Sequence, residues 1–183
     1  MSDELIATVI EMVADANANR QRDNLDRRIL KFIEELGEIA EAFLECTSLH
    51  NRKHKTWADV HEEAADVLIV AIDIALTPLA VLCSSDQLVD AVRQQVYRIN
   101  MGFPTLMRRL CFSSAHYGGD YLSEPEQALQ YITETVSYGF ALNELMWRID
   151  DVDKRDKAII NEVARKLAKW RTGTSTAEGR QHD

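Results

Sequence analysis

Apolar residues recur at helical spacing through long stretches of this chain. With only seven glycines and three prolines in 183 residues, the pattern reads as nearly all α. A first amphipathic helix is expected over 3–19, carrying Leu5, Ile6, Val9, Ile10 and Val13 on one side, before a polar, turn-like segment at 17–24. A second helix over 25–46 follows a cap at Asp23 or Asn24, and its stripe is read as Ile29, Ile33, Leu36, Ala40 and Phe43. Thr56 and Asp59 form an approximate capping box that opens a third helix running to about residue 83. From Val67 to Leu76 that helix is apolar nearly all round, so neighbours must bury its centre. Further helices are predicted from Ser85 or Asp86 to about 100, from Pro104 to before Gly118-Gly119, and from Ser123-Glu-Pro to about 149. Asp151–Asp153 ends that run, and a last helix reaches Trp170. The Gly/Thr/Ser-rich tail, 172–183, reads as disordered, leaving residues 1–171 as a single all-α domain.

Charge narrows the partners. Lys+Arg 21 against Asp+Glu 30 gives a net charge of −9 with no basic block, which argues against nucleic acid or an anionic membrane as the main partner. The longest apolar stretch, Val67 to Leu82, contains Asp73 and Pro78 and falls short of a membrane span. The acidic start Met-Ser-Asp-Glu has no signal-peptide pattern. Cys46, Cys83 and Cys111 have no zinc spacing and read as buried thiols in a reducing compartment. The expectation is a cytoplasmic protein.

The chemistry concentrates in two short runs, Glu34-Glu35-Leu-Gly-Glu38 and Glu63-Ala-Ala-Asp66. Each places two carboxylates three positions apart, on one face of its helix. The 24 intervening residues allow a turn and an antiparallel return. Glutamates at helical spacing can be a solvated acidic face, and three details weigh against that here. Like charges at this spacing repel, with few basic residues nearby to relieve them. Glu63 and Asp66 run into the most apolar part of the chain, where unpaired carboxylates are costly. Gly37 sits mid-helix at a cost of about 1 kcal/mol against Ala, which points to the close approach of a backbone or ligand. Oxygen-only ligands and the absence of any ExxH favour Mg²⁺, with Mn²⁺ as substitute. Two or more such ions between carboxylates suit phosphoryl chemistry.

These motifs, with the flanking Leu30-Lys31-Phe-Ile, Glu41-Ala-Phe and His61-Glu62-Glu63-Ala-Ala-Asp66-Val-Leu-Ile, resemble the all-α nucleoside triphosphate pyrophosphohydrolases of the MazG type over about residues 17–100. The resemblance implies an antiparallel bundle with extra C-terminal helices. It implies that Glu35, Glu38, Glu63 and Asp66 hold Mg²⁺, while Glu34 orients or deprotonates the attacking water, so that Glu34, Glu35 and Glu38 form the catalytic set. A nucleoside or deoxynucleoside triphosphate would be cleaved between its α and β phosphates, by a homodimer or homotetramer. The longer build is shared with viral members that destroy purine deoxynucleotides, which leans the substrate towards dGTP or dATP. The ending Arg165-Lys-Leu-Ala-Lys169-Trp-Arg171 resembles the basic close of several members, so Lys169 and Arg171 join Asn17, Arg20 and Lys31 as candidate substrate contacts. As the exposed last turn of a helix, the same residues would simply suit its dipole.

Lesser candidates have plainer readings. Asp73, nearly on the face of Asp66, is either a support for the metal ligands or a buried hydrogen-bonding group. His50, His54 and His61 lack ligand spacing and read as solvated, and Trp57, Trp147 and Trp170 as core or interface. The alternative to an enzyme is a non-catalytic helical protein that binds nucleotides or partner helices and keeps the acidic site.

Overall fold

The computed structural model describes residues 1–18, 24–82, 84–115 and 125–171. They form α1 (Asp3–Ala18), α2 (Leu25–Thr47), α3 (Trp57–Leu82), α4 (Ser85–Val96), α5 (Phe103–Ala115), α6 (Pro125–Trp147) and α7 (Val152–Arg171). The described residues contain no strand, so the chain is all-α. Arg20, Cys83, Ser123, the tail 172–183 and the side chain of Arg171 lie outside them.

Local chemistry sets the helix ends. The side chain of Asn24 accepts a hydrogen bond from the Arg27 amide at 2.9 Å and caps α2. The Thr56 amide donates to Asp59 at 2.6 Å and the Asp59 amide donates back at 3.4 Å, which is the expected box at the start of α3. Ser84, not Ser85 or Asp86, caps α4: its hydroxyl accepts from the Gln87 amide at 3.3 Å, and its own amide donates to Gln87 Oε1 at 2.8 Å. That helix stops at Val96, where the Arg98 and Ile99 amides close short turns on Gln95 and Val96.

α3 is the hub. Every residue from Val67 to Ala75 is buried, because α1, α2, α6 and α7 all pack around it. α2 runs antiparallel beside it: Arg28 meets Asp73, and Phe43 meets the ring of Trp57 at 6.2 Å. On the other side α6 comes close at Gly139, where a Cβ would lie 3.2 Å from Leu68 Cδ1 and 3.5 Å from its Cα. One turn on, the fully buried Asn143 amide donates to the Ala64 carbonyl at 2.7 Å and locks the pair. Leu68 is itself fully buried and has nowhere to move. Gly139→Val is therefore expected to destabilise the fold by about 1–3 kcal/mol, read as a lower urea midpoint with an unchanged slope. No helix among the described residues is long and apolar enough to cross a membrane.

The burial of α2 departs from the expected stripe. The buried residues are Phe32, Glu35, Leu36, Ile39 and Ala42, whereas Ile33 is 54% exposed. The face turns because Glu35, a charged residue, points at α3. Gly37 also departs from expectation, since a Cβ there would meet nothing within 4 Å. No part of the described chain comes close enough to account for it.

Candidate metal centre

Glu35, Glu63 and Asp66 each bring a carboxylate oxygen within 4.8 Å of the others. The antiparallel pairing of α2 and α3 produces this, because each motif turns its inner carboxylates towards the other helix. Glu35 is only 4% exposed, and its Oε2 is buried with no hydrogen-bond partner. An unsatisfied buried carboxylate oxygen costs several kcal/mol of lost solvation unless something positive meets it. The fourth expected ligand, Glu38, is exposed at the rim, close enough for its charge to act on both Glu35 and Glu63.

The electrostatics match a site short of positive charge. Burial pushes Glu35 up to about 7 against a hydrogen bond from Lys31, with Asp66 and Glu38 adding to the rise. Burial, then the Glu38 charge, also takes Glu63 up to about 7. Asp66 is raised by burial, which outweighs its contact with Lys166. All three are held above their ordinary range because charge is being concentrated where water is scarce.

Three cations contact the cluster, more relief than the sequence promised. Lys31 Nζ lies 2.8 Å from Glu35 and 3.2 Å from Glu34, and Lys55 lies 3.9 Å from Glu63. Lys166, 8% exposed on α7, contacts Asp66 and lies 2.6 Å from Glu62. Arg165 also meets Glu62, at 3.1 Å. Against the burial that would raise it, Lys166 and Arg165 hold Glu62 down to about 2. Neither Lys166 nor Glu62 was singled out by sequence. The signal was there in the basic run at 165–171, but the pattern does not say which of its residues faces the carboxylates.

The remaining candidates scatter. Glu34 is exposed and reaches the site only through Lys31. Lys169 sits 3.4 Å from Glu62. Asn17 donates to Asp73 at 2.5 Å, and Arg28 contacts the same carboxylate. Asp73 is thus the buried group that ties α1 and α2 to α3. His50 and His54 are exposed as expected. His61 is not solvated: it stacks on Trp147 at 4.0 Å, with Nε2 3.2 Å from the Met146 carbonyl. Trp57, Trp147 and Trp170 pack against the core. Cys46 is half-buried and Cys111 exposed, so the expectation of buried thiols fails for Cys111.

These shifts carry a sign. In the metal-free fold Glu35 and Glu63 titrate near 7, above the ordinary 4.5, so the native state binds more protons than the unfolded state between those values. Stability then falls as pH rises through that window. The contribution of Glu62 has the opposite sign but is lost only as pH falls from 4.5 towards 2, outside the window. The metal-free protein is therefore expected to melt higher at about pH 5 than at about pH 8, by a few kcal/mol in stability. A divalent cation should erase most of that difference. Thermal melts with and without chelator check both statements.

The chain matches no family model, no curated protein and no solved structure.

Proposed function

We propose that this protein is a Mg²⁺-dependent nucleoside triphosphate pyrophosphohydrolase acting in the cytoplasm, with a lean towards dGTP or dATP. The observation that supports it is the convergence of Glu35, Glu63 and Asp66, in which the buried Glu35 keeps one carboxylate oxygen, Oε2, without a hydrogen-bond partner among the described residues. The donor set consists of hard oxygens, which suits Mg²⁺ and tolerates Mn²⁺. When bound, such ions neutralise phosphate oxygens and lower the pKa of a coordinated water.

The chain's own residues divide the remaining work. Glu35, Glu63 and Asp66 hold the positive charge from α2 and α3, and Glu38 closes the set at the rim. Glu34, hydrogen-bonded to Lys31, is the group we assign to the attacking water. Lys31, 3.2 Å away, would orient Glu34 for that proton. Lys166 and Lys169 of α7, in contact with Asp66 and Glu62, are the cations we assign to the phosphate chain. Water attack between the α and β phosphates then yields the monophosphate and pyrophosphate. A homo-oligomer, dimer or tetramer, completes the proposal.

A second reading has one observation in its favour. Lys31 and Lys166 already partly neutralise the cluster, as they would in a protein that binds Mg²⁺-nucleotide or a partner helix without turnover. A panel of common NTPs and dNTPs, incubated with Mg²⁺ and scored for pyrophosphate, separates the two. Release from at least one substrate, abolished by chelator, is expected. Survival of the whole panel at about micromolar enzyme, far above typical turnover needs, would leave only the binding reading.

A further inference from the structure

We propose that the cavity between the end of α4, the link to α5, and α6 binds a nucleoside monophosphate, at a place separate from the carboxylate cluster. The cavity measures about 480 Å³ and shares no lining residue with that cluster. Its size falls among small-molecule sites, roughly 300–1,000 Å³, and exceeds what a bare phosphate or sulfate would fill. Tyr138 lines it from α6 while only 7% exposed, and its hydroxyl makes no hydrogen bond to the described residues. A buried phenol ordinarily has a partner, so this one is left for a ligand. Burial, then the charge of Glu134, holds the phenol above its ordinary value, so it remains a donor at neutral pH.

The rest of the lining says what the ligand carries. Arg98, exposed in the turn after α4, lines the cavity with no carboxylate paired to it among the described residues. A guanidinium in that state suits a phosphate, which it can grip through two parallel hydrogen bonds. The helix end does not oppose this, because the Arg98 and Ile99 amides already meet the Gln95 and Val96 carbonyls at 3.0 Å. No acidic side chain lines the cavity, which leaves an ammonium group without a partner and sets aside amino acids and polyamines. Gln94 and Gln95 each present a donor beside an acceptor, the pattern that matches the edge of a nucleobase. Ile99, Met101 and the Tyr138 ring supply an apolar wall for a flat ring. A phosphate on Arg98 and a base against the carboxamides and the phenol together describe a nucleoside monophosphate. Binding here requires neither the metal nor turnover, so this inference and the hydrolase reading stand or fall separately.

Titration calorimetry of the full chain with AMP, GMP, CMP and UMP in chelator isolates the cavity, because the metal-free carboxylates repel an anion. At least one monophosphate should bind with a dissociation constant of about 100 µM or tighter, and its parent nucleoside at least about 10-fold more weakly. Arg98→Met should weaken binding at least about 10-fold, and Tyr138→Phe, which keeps the ring, about 3- to 10-fold. Lys154→Met, which removes one exposed charge from α7, should leave the affinity unchanged. No binding of any monophosphate at about 2 mM overturns the proposal. So does binding that Arg98→Met and Tyr138→Phe leave intact, a nucleoside that binds as well as its monophosphate, or a loss in Lys154→Met equal to that in Arg98→Met.

Discussion

Replacing Glu35 with glutamine should cut metal-dependent turnover at least about 100-fold, the scale of losing one group that organises transition-state charge. The same change should raise the melting temperature of the metal-free protein above neutral pH. Both effects have one cause. Glu35 is buried, its Oε2 has no partner, and burial has taken its carboxyl to about 7. An amide removes the charge that the metal-free fold bears at a cost, and with it the charge that a cation would bind. The stability gain should vanish at about pH 5, where the wild-type carboxyl is already protonated in the fold. Asp66→Asn should lose activity similarly but gain less stability, because Asp66 has Lys166 against it. Steady-state pyrophosphate release and melts at the two pH values test both. A Glu35→Gln enzyme with full activity would remove Glu35 from the site whatever the enzyme does.

The second large effect concerns a residue on a different helix, a hundred positions away. Lys166→Met should destabilise the metal-free protein by about 3–5 kcal/mol at neutral pH, the cost of stranding a buried charge partner. For a chain of this length that lowers the melting temperature by about 10 °C. Lys166 is 8% exposed and is the contact shared by Asp66 and Glu62, so its loss leaves two carboxylates facing each other across little water. The loss should shrink at low pH as Asp66 protonates, and shrink again with added Mg²⁺, which supplies the missing charge. Arg165→Met is the control: Arg165 is 43% exposed and paired mainly with its neighbour Glu162, so about 1 kcal/mol or less is expected. If Lys166→Met melts like wild type, the ion pair carries little of the site's energetics. If Mg²⁺ fails to rescue it, the cation does not bind beside Asp66.

The helices were legible because their signals are local. The all-round apolar run from Val67 leaves α3 no choice but to be wrapped by neighbours, and Asn24 and the Thr56–Asp59 box mark their ends by chemistry within one turn. The four carboxylates were legible for the same reason, since i and i+3 on a helix share a face whatever the tertiary structure. Rotation was harder. The expected apolar stripe takes Ile33 as core, although Glu35, expected to face α3 as a metal ligand, lies two positions on and so on the opposite side of the helix. In the fold Glu35 turns inward and Ile33 is left on the surface. The cationic side of the site was less legible still. Its nearest member in sequence, Lys31, was noted only as a substrate contact, and Lys166 comes from a helix whose facing depends on the packing of α1, α3 and α6. His61 fell to the same limit, because the ring it stacks on belongs to α6.

The most direct measurement is a ³¹P spectrum of dGTP incubated with the wild-type protein and Mg²⁺. The proposal predicts that the triphosphate resonances give way to those of dGMP and pyrophosphate, and that chelator or Glu35→Gln stops the conversion. A spectrum in which dGTP and the other common triphosphates persist, or in which the products are a diphosphate and inorganic phosphate, would contradict it.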